Sequence, residues 1–171
     1  LIERLWPYAK DGMPLIGLEP SCLLTLRDDY ASLVEAEEKT RDQLKGVVEH
    51  SVLLDEFLAR RADTAAFADL FKTERQQVYV HGHCYQKALI GMETTLKVLK
   101  AIPGFNVELI HSGCCGMAGS FGYEKEHEAI SMKIGELRLF PAVRASGPED
   151  LIIANGMSCR HQIRDGTGRQ A

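Results

Sequence analysis

Four short apolar runs, each followed within a few residues by cysteine, constrain this chain more than any other feature. Cys22 follows Pro14-Leu15-Ile16-Gly17-Leu18, and Cys84 follows Val78-Tyr79-Val80-His81. Cys114 and Cys115 follow Val107-Glu108-Leu109-Ile110, and Cys159 follows Leu151-Ile152-Ile153-Ala154. Such runs read as strands, and they alternate with stretches of helical pattern. That order predicts an α/β fold: a single parallel, Rossmann-like sheet of about four strands with crossover helices. In an open parallel sheet the carboxyl ends of the strands share one edge, where ligands bind. Cysteines scattered from 22 to 159 are therefore expected to converge at one site. Burial alone would not put all five at strand ends.

The helix after Cys84 has one apolar face formed by Leu89, Met92, Leu96 and Leu99, and Pro103-Gly104 stops it. A second helix is expected over Glu124 to Phe140, with Ile130, Ile134 and Leu137 inward and Pro141 ending it. Between the first two strands, residues 28–72 read as a helical insertion of two or three helices broken near His50-Ser51. Leu33, Val34, Leu44, Val47, Val48, Leu53, Leu54, Phe57 and Leu58 are its apolar positions, and Thr40 with Gln43 is a candidate capping box. This insertion is the expected partner-facing surface. The tail from Arg164 is expected to fray. Ser21-Cys22 and Ser158-Cys159 are each followed, three residues later, by an aliphatic residue, Arg and Asp, which suggests an internal repeat. Residues 78–171 would then be a complete repeat and 14–30 the tail of a preceding one.

At 171 residues and 45% hydrophobic, the chain can bury one ordinary core. A net charge of −4 without a Lys/Arg run argues against a nucleic-acid surface. No apolar stretch approaches the roughly 20 residues of a membrane span. The chain begins at Leu1, as a piece of a longer polypeptide would. Without a secretory signal, a cytoplasmic setting is expected, with a peripheral position at the inner face of the cell membrane as a variant. Five cysteines cannot all pair, and in a reducing compartment cysteine clusters bind metal or do redox work.

Adjacent strand residues point to opposite faces, so Cys114 and Cys115 can serve one site only if the chain turns there. Gly113 and Gly116 flank the pair, permit such a turn and can offer backbone N–H groups to sulfur. Two buried small hydrophobes at a strand end are the plainer alternative. Cys84 lies in His81-Gly82-His83-Cys84, where the start of a helix lowers a thiol pKa. His81, His83 and His111 read as groups that hydrogen-bond to ligand sulfur rather than as ligands themselves. Arg160 either offsets thiolate charge or is a solvated surface residue. Gln162 stands where a CxxC pair with Cys159 would need cysteine, which weakens a zinc-ribbon or dithiol reading.

The order Cys84, Cys114-Cys115-Gly116, Cys159 resembles the cysteine-rich CCG domain. That domain occurs in heterodisulfide reductase B subunits and in the iron–sulfur subunits of glycolate oxidase and glycerol-3-phosphate dehydrogenase. It also occurs in fused FAD-plus-iron–sulfur 2-hydroxyacid dehydrogenases of the D-lactate type. The likeness spans roughly residues 14–165 and rests on long segments. These are His81-Gly82-His83-Cys84-Tyr85-Gln86-Lys87-Ala88-Leu89, Cys114 through Tyr123, and Ser131 through Leu137 with Pro141-Ala142-Val143-Arg144. The resemblance implies that Cys22, Cys84, Cys114, Cys115 and Cys159 hold an iron–sulfur cluster of 4Fe–4S type, in some members non-cubane. Gln162 replaces a cysteine of some members, which leaves another 4Fe–4S arrangement or a plain metal site open. The resemblance further implies FAD on another domain, a ferredoxin-like iron–sulfur domain as a second partner, and an unnamed electron acceptor. The chain has no GxGxxG fingerprint of its own. A structural zinc module and a thiol–disulfide redox domain are the alternatives.

Overall fold

A computed structural model describes residues 1–33 and 38–171. Val34, named above with the helical insertion, lies outside the described residues. In chain order the first half comprises α1 (Ile2–Lys10), β1 (Leu15–Gly17), α2 (Pro20–Arg27), α3 (Tyr30–Leu33), α4 (Glu38–His50), β2 (Ser51–Leu53), α5 (Leu54–Ala59) and α6 (Ala65–Ala68). The second half comprises β3 (Gln76–His81), α7 (Cys84–Leu89), α8 (Glu93–Lys100), β4 (Phe105–Leu109), α9 (Glu128–Glu136), α10 (Leu139–Ala145), β5 (Leu151–Ala154) and α11 (Met157–Thr167). A 3-10 turn over Phe121–Tyr123 precedes α9. No helix among the described residues is long and apolar enough to cross a membrane.

The parallel α/β class is as the strand–helix alternation predicts, but the strands form two sheets rather than one. The larger has the order β4-β3-β5, with Val78 and Val80 of β3 at its buried centre. Val78 pairs with Val107 on one side and Leu151 on the other, and His81 with Ala154. The smaller sheet pairs β1 with β2, Leu15 to Ser51 through Gly17 to Leu53. β2 interrupts the segment read as wholly helical. Ser51, Val52 and Leu53 are all buried, so the strand lacks the alternation that marks a half-buried one. The chain break at His50-Ser51 is where the sequence puts it. Thr40 is inside α4, not at its N-cap.

Three other expectations are corrected by packing. The helix after Cys84 is broken into α7 and α8 by Gly91, whose φ of +77° has no place in a right-handed helix; Leu89 is consequently exposed while Met92 is buried. The 124–140 helix is α9 and α10. Ile130 and Leu137 face solvent, at 52% and 73% exposure, while Ser131 and Gly135 face inward. The buried Phe140 ring occupies the place where a side chain at Gly135 would go. Pro141 does not end a helix but sits in the first turn of α10, where its missing N–H costs nothing. The tail does not fray: α11 runs to Thr167, Gly168 caps it in the left-handed region, and Arg169 donates to Ser146 Oγ, Gly147 O and Asp150 O.

A buried polar knot ties the halves together. Gln86, fully buried on α7, donates to Asp55 Oδ2 on α5 at 2.9 Å and to Thr95 Oγ1 on α8 at 2.9 Å. Its carbonyl accepts from Asn155 Nδ2, just past β5, at 3.1 Å. Thr95 in turn donates to Asp55. Every member is satisfied, which such a knot requires to be tolerable in a core.

Candidate metal centre

Three neighbouring parallel strands deliver the site. β3 ends in His81 and leads through His83, the N-cap of α7, into Cys84. β4 leads into the loop carrying Cys114 and Cys115. β5 leads through Gly156, the N-cap, into α11 and Cys159. Because the strands are parallel and adjacent, their carboxyl ends deliver these groups to one edge. All five cysteines are free; Cys115 and Cys159 are buried, Cys84 and Cys114 half-buried, and Cys22 exposed.

Four of the thiols form a mutually hydrogen-bonded group. Cys114 is driven toward thiolate, first by hydrogen bonds from the Cys115 and Cys84 thiols and then by the Gly116 and Ala118 N–H groups. The Gly116 N–H lies 3.3 Å from Cys114 Sγ. Cys159 is lowered to about 5, chiefly by the Cys115 thiol and further by a hydrogen bond from His81, against burial. Cys84 and Cys115 are pushed up, each foremost because it donates to Cys114; Cys115 also donates to Cys159. Two sulfurs thus hold protons and two hold charge, an arrangement that a cation at their centre would replace.

The turn that brings Cys114 and Cys115 together depends on one of the two flanking glycines. Gly116 has φ +104°, and a Cβ there would collide with the Ser131 carbonyl oxygen. Gly113 has no left-handed φ, and a Cβ there meets nothing within 4 Å. Ala118 at φ +42° and Gly119 at +69° continue the irregular loop. Left-handed non-glycine backbone is uncommon and tends to gather at sites that need a particular loop shape.

The histidines differ from one another. His81 is buried, with Nδ1 2.8 Å from Ser112 Oγ, while Nε2 is buried without a partner. His81 offers a ring nitrogen that lies, together with the Cys115 and Cys159 sulfurs, in a set whose atoms are all within 4.8 Å of one another. His83 is also buried and accepts the Tyr85 N–H at Nδ1, capping α7. His111 is exposed and lines a separate cavity of about 440 Å³ with Tyr79, Leu137 and Arg138. Arg160 is exposed.

Cys22 is the third residue of α2, as Cys159 is of α11. Its helix borders the group on both sides. Glu19, the N-cap of α2, accepts the Met157 N–H at 2.8 Å. Beyond its other end, Asp28 and Asp29 accept the Tyr85 hydroxyl at 3.1 and 2.8 Å. Gln162 does not face the thiols as a cysteine surrogate: its amide donates to Ser131 O and Oγ, holding α9 to α11.

Sequence reasoning missed Lys87. One turn after Cys84, its ammonium donates to Ser112 O and Gly113 O at 2.6 and 2.7 Å. Burial lowers its pKa, and the four thiols, Cys84 foremost, oppose that shift. The spacing of three between Cys84 and Lys87, one face of a helix, was the available signal.

The chain is homologous to a region of known dehydrogenases. It is 31% identical over 156 residues to the third (GlpC-type) component of the anaerobic glycerol-3-phosphate dehydrogenase of Escherichia coli, an alignment covering 91% of this chain and 37% of that component. It is 34% identical over 164 residues to D-2-hydroxyglutarate dehydrogenase of E. coli, covering 94% of this chain and 15% of that enzyme. Against the Haemophilus influenzae D-2-hydroxyglutarate dehydrogenase the figures are 31%, 95% and 16%. The chain therefore spans well under half the length of these relatives. No family model and no solved structure matches it.

Proposed function

We propose that this chain is the electron-transferring, iron–sulfur-binding part of a FAD-linked 2-hydroxyacid dehydrogenase, with Cys84, Cys114, Cys115 and Cys159 as ligands and Cys22 as a fifth. The observation that carries this reading is the convergence of four hydrogen-bonded thiols from three strand ends beside the unpartnered, buried Nε2 of His81. An orphaned buried nitrogen calls for an unseen partner. The donor set, soft thiolates with backbone N–H groups directed at sulfur, suits an iron–sulfur group. The relatives, a component of a glycerol-3-phosphate dehydrogenase and D-2-hydroxyglutarate dehydrogenases, support an oxidoreductase setting.

An iron–sulfur cluster held there supplies a one-electron carrier. The chain's own groups hold and tune it: thiolates ligate, the Tyr85, Gly116, Met117 and Ala118 N–H groups stabilise charge on sulfur, and the Phe140–Met117 side of the core keeps water from Cys115 and Cys159. FAD and the hydroxy acid belong to a partner domain or subunit, with a ferredoxin-like iron–sulfur domain as the second partner, in the cytoplasm or at the inner face of the membrane. His111 is left out of the tuning set, and Gly113 acts only through its carbonyl.

A zinc site on His81, Cys115 and Cys159 is the second reading, favoured by the closeness of those three groups. Anaerobic reconstitution with ferrous iron and sulfide separates the two. Iron and sulfide in stoichiometric amounts with visible absorption and a paramagnetic reduced state are expected. Cys115→Ser should lose most of that absorption and the stability linked to it. One zinc per chain and no coloured species would replace the iron–sulfur reading.

A further inference from the structure

We infer that Lys87 is a positioning residue for the thiol group: it clasps the Cys84 helix to the Cys114–Cys115 loop and supplies the positive charge that sets the potential of the group bound there. The charge part of this inference rests on the iron–sulfur reading above; the clasp does not.

The clasp is visible in the hydrogen bonds. Ser112 and Gly113 are the last two residues before Cys114, and both of their carbonyls accept from the Lys87 ammonium. Lys87 lies one turn beyond Cys84 on α7, so a single side chain joins two ligand-bearing segments that are separate in sequence. Its stem is pinned as well: a Cβ on Gly82 would lie 3.1 Å from Lys87 Cγ. The loop is then held at both ends, by Lys87 before the cysteine pair and by Gly116, pressed on Ser131 O, after it.

The charge has no competing carboxylate. Among the described residues the salt bridges of this chain do not include Lys87. An ammonium has three donors, and two are spent on carbonyls. All four thiols lie within its electrostatic reach. A half-buried cation beside thiolates is screened less than a surface one, and it favours the state carrying an extra electron. Arg160, the cation that sequence suggested for this role, is exposed.

The test compares Lys87→Met, which keeps the apolar stem, with Lys87→Arg, which keeps the charge. After anaerobic reconstitution, Lys87→Met should hold iron at the wild-type level. At a fixed solution potential its reduced-to-oxidised ratio should fall about tenfold, which for one electron is about 59 mV. Lys87→Arg should stay within about twofold of wild type. A wild-type ratio in Lys87→Met would overturn the charge role. Should Lys87→Met take up no iron, Lys87→Arg decides: wild-type iron supports the role, and loss in both overturns it. In the iron-free chain, amide exchange at residues 114–116 should be about tenfold faster in Lys87→Met, because the local opening is no longer held. Unchanged exchange would overturn the clasp. Failure of the wild-type chain to take up iron would remove the iron–sulfur reading and the charge role, while the exchange measurement still decides the clasp.

Discussion

The two glycines that flank Cys114-Cys115 look equivalent in sequence, and the structure makes opposite predictions for them. Gly116→Ala forces a side chain onto backbone at φ +104° and drives its Cβ into the Ser131 carbonyl oxygen, with Gln162 Nε2 at 3.0 Å. A left-handed non-glycine residue costs about 1–2 kcal/mol. Relieving the clash requires moving the α9 backbone, an overpacking cost of about 1–3 kcal/mol. Ser131 cannot yield freely, because its carbonyl and hydroxyl both hold the buried Gln162 amide. The sum is about 2–5 kcal/mol, which for a chain of this size lowers the melting temperature by about 4–20 °C. The Gly116 N–H would also move from Cys114 Sγ, so reconstituted iron should fall with stability. Gly113→Ala meets nothing within 4 Å and needs no left-handed backbone; it should stay within about 0.5 kcal/mol of wild type. Thermal unfolding followed by far-UV circular dichroism on both variants reads the difference. Equal melting temperatures would refute the assignment of the turn to Gly116.

The metal-free chain should lose stability as pH falls from 9 toward 5. Cys159 and Cys114 have folded pKa values depressed below the unfolded value, so their contribution is full above that value and drains away as they protonate. Above pH 9 the raised Cys84 and Cys115 act in the opposite sense, since the unfolded thiols ionise first, and urea midpoints should therefore peak near pH 9. A midpoint flat from pH 5 to 9 would contradict the thiol hydrogen-bond pattern. Gln86→Leu strands Asp55 and Asn155 in the core and should cost about 2–4 kcal/mol, read as a lower urea midpoint; a loss below about 0.5 kcal/mol would show that the knot carries no stability. Arg169→Ala should speed proteolysis of the last turn of α11 while leaving the melting temperature within about 2 °C, because it releases three hydrogen bonds at a half-exposed terminus.

The sequence alone determined the α/β class and the strand-end positions of the cysteines. Short apolar runs and helical periodicity are local signals, and parallel pairing puts all carboxyl ends on one edge whatever the details. What it could not decide were the contacts made across the chain. β2 is three buried residues with no period to read. Ile130 and Leu137 have helical spacing, yet they face out because Gly135 must admit the Phe140 ring and Ser131 must meet Gln162. The equivalence of Gly113 and Gly116 is broken only by Ser131, a residue of the next helix along the chain. His81 and His111 both follow strands, but His81 turns a bare nitrogen into the core while His111 faces solvent on another cavity. Lys87 looks like any helix-surface lysine until β4 brings the Ser112 and Gly113 carbonyls beneath it. Periodicity records which residues favour burial; which partner each one meets is set by elements far apart in the chain, and only tertiary packing brings them together.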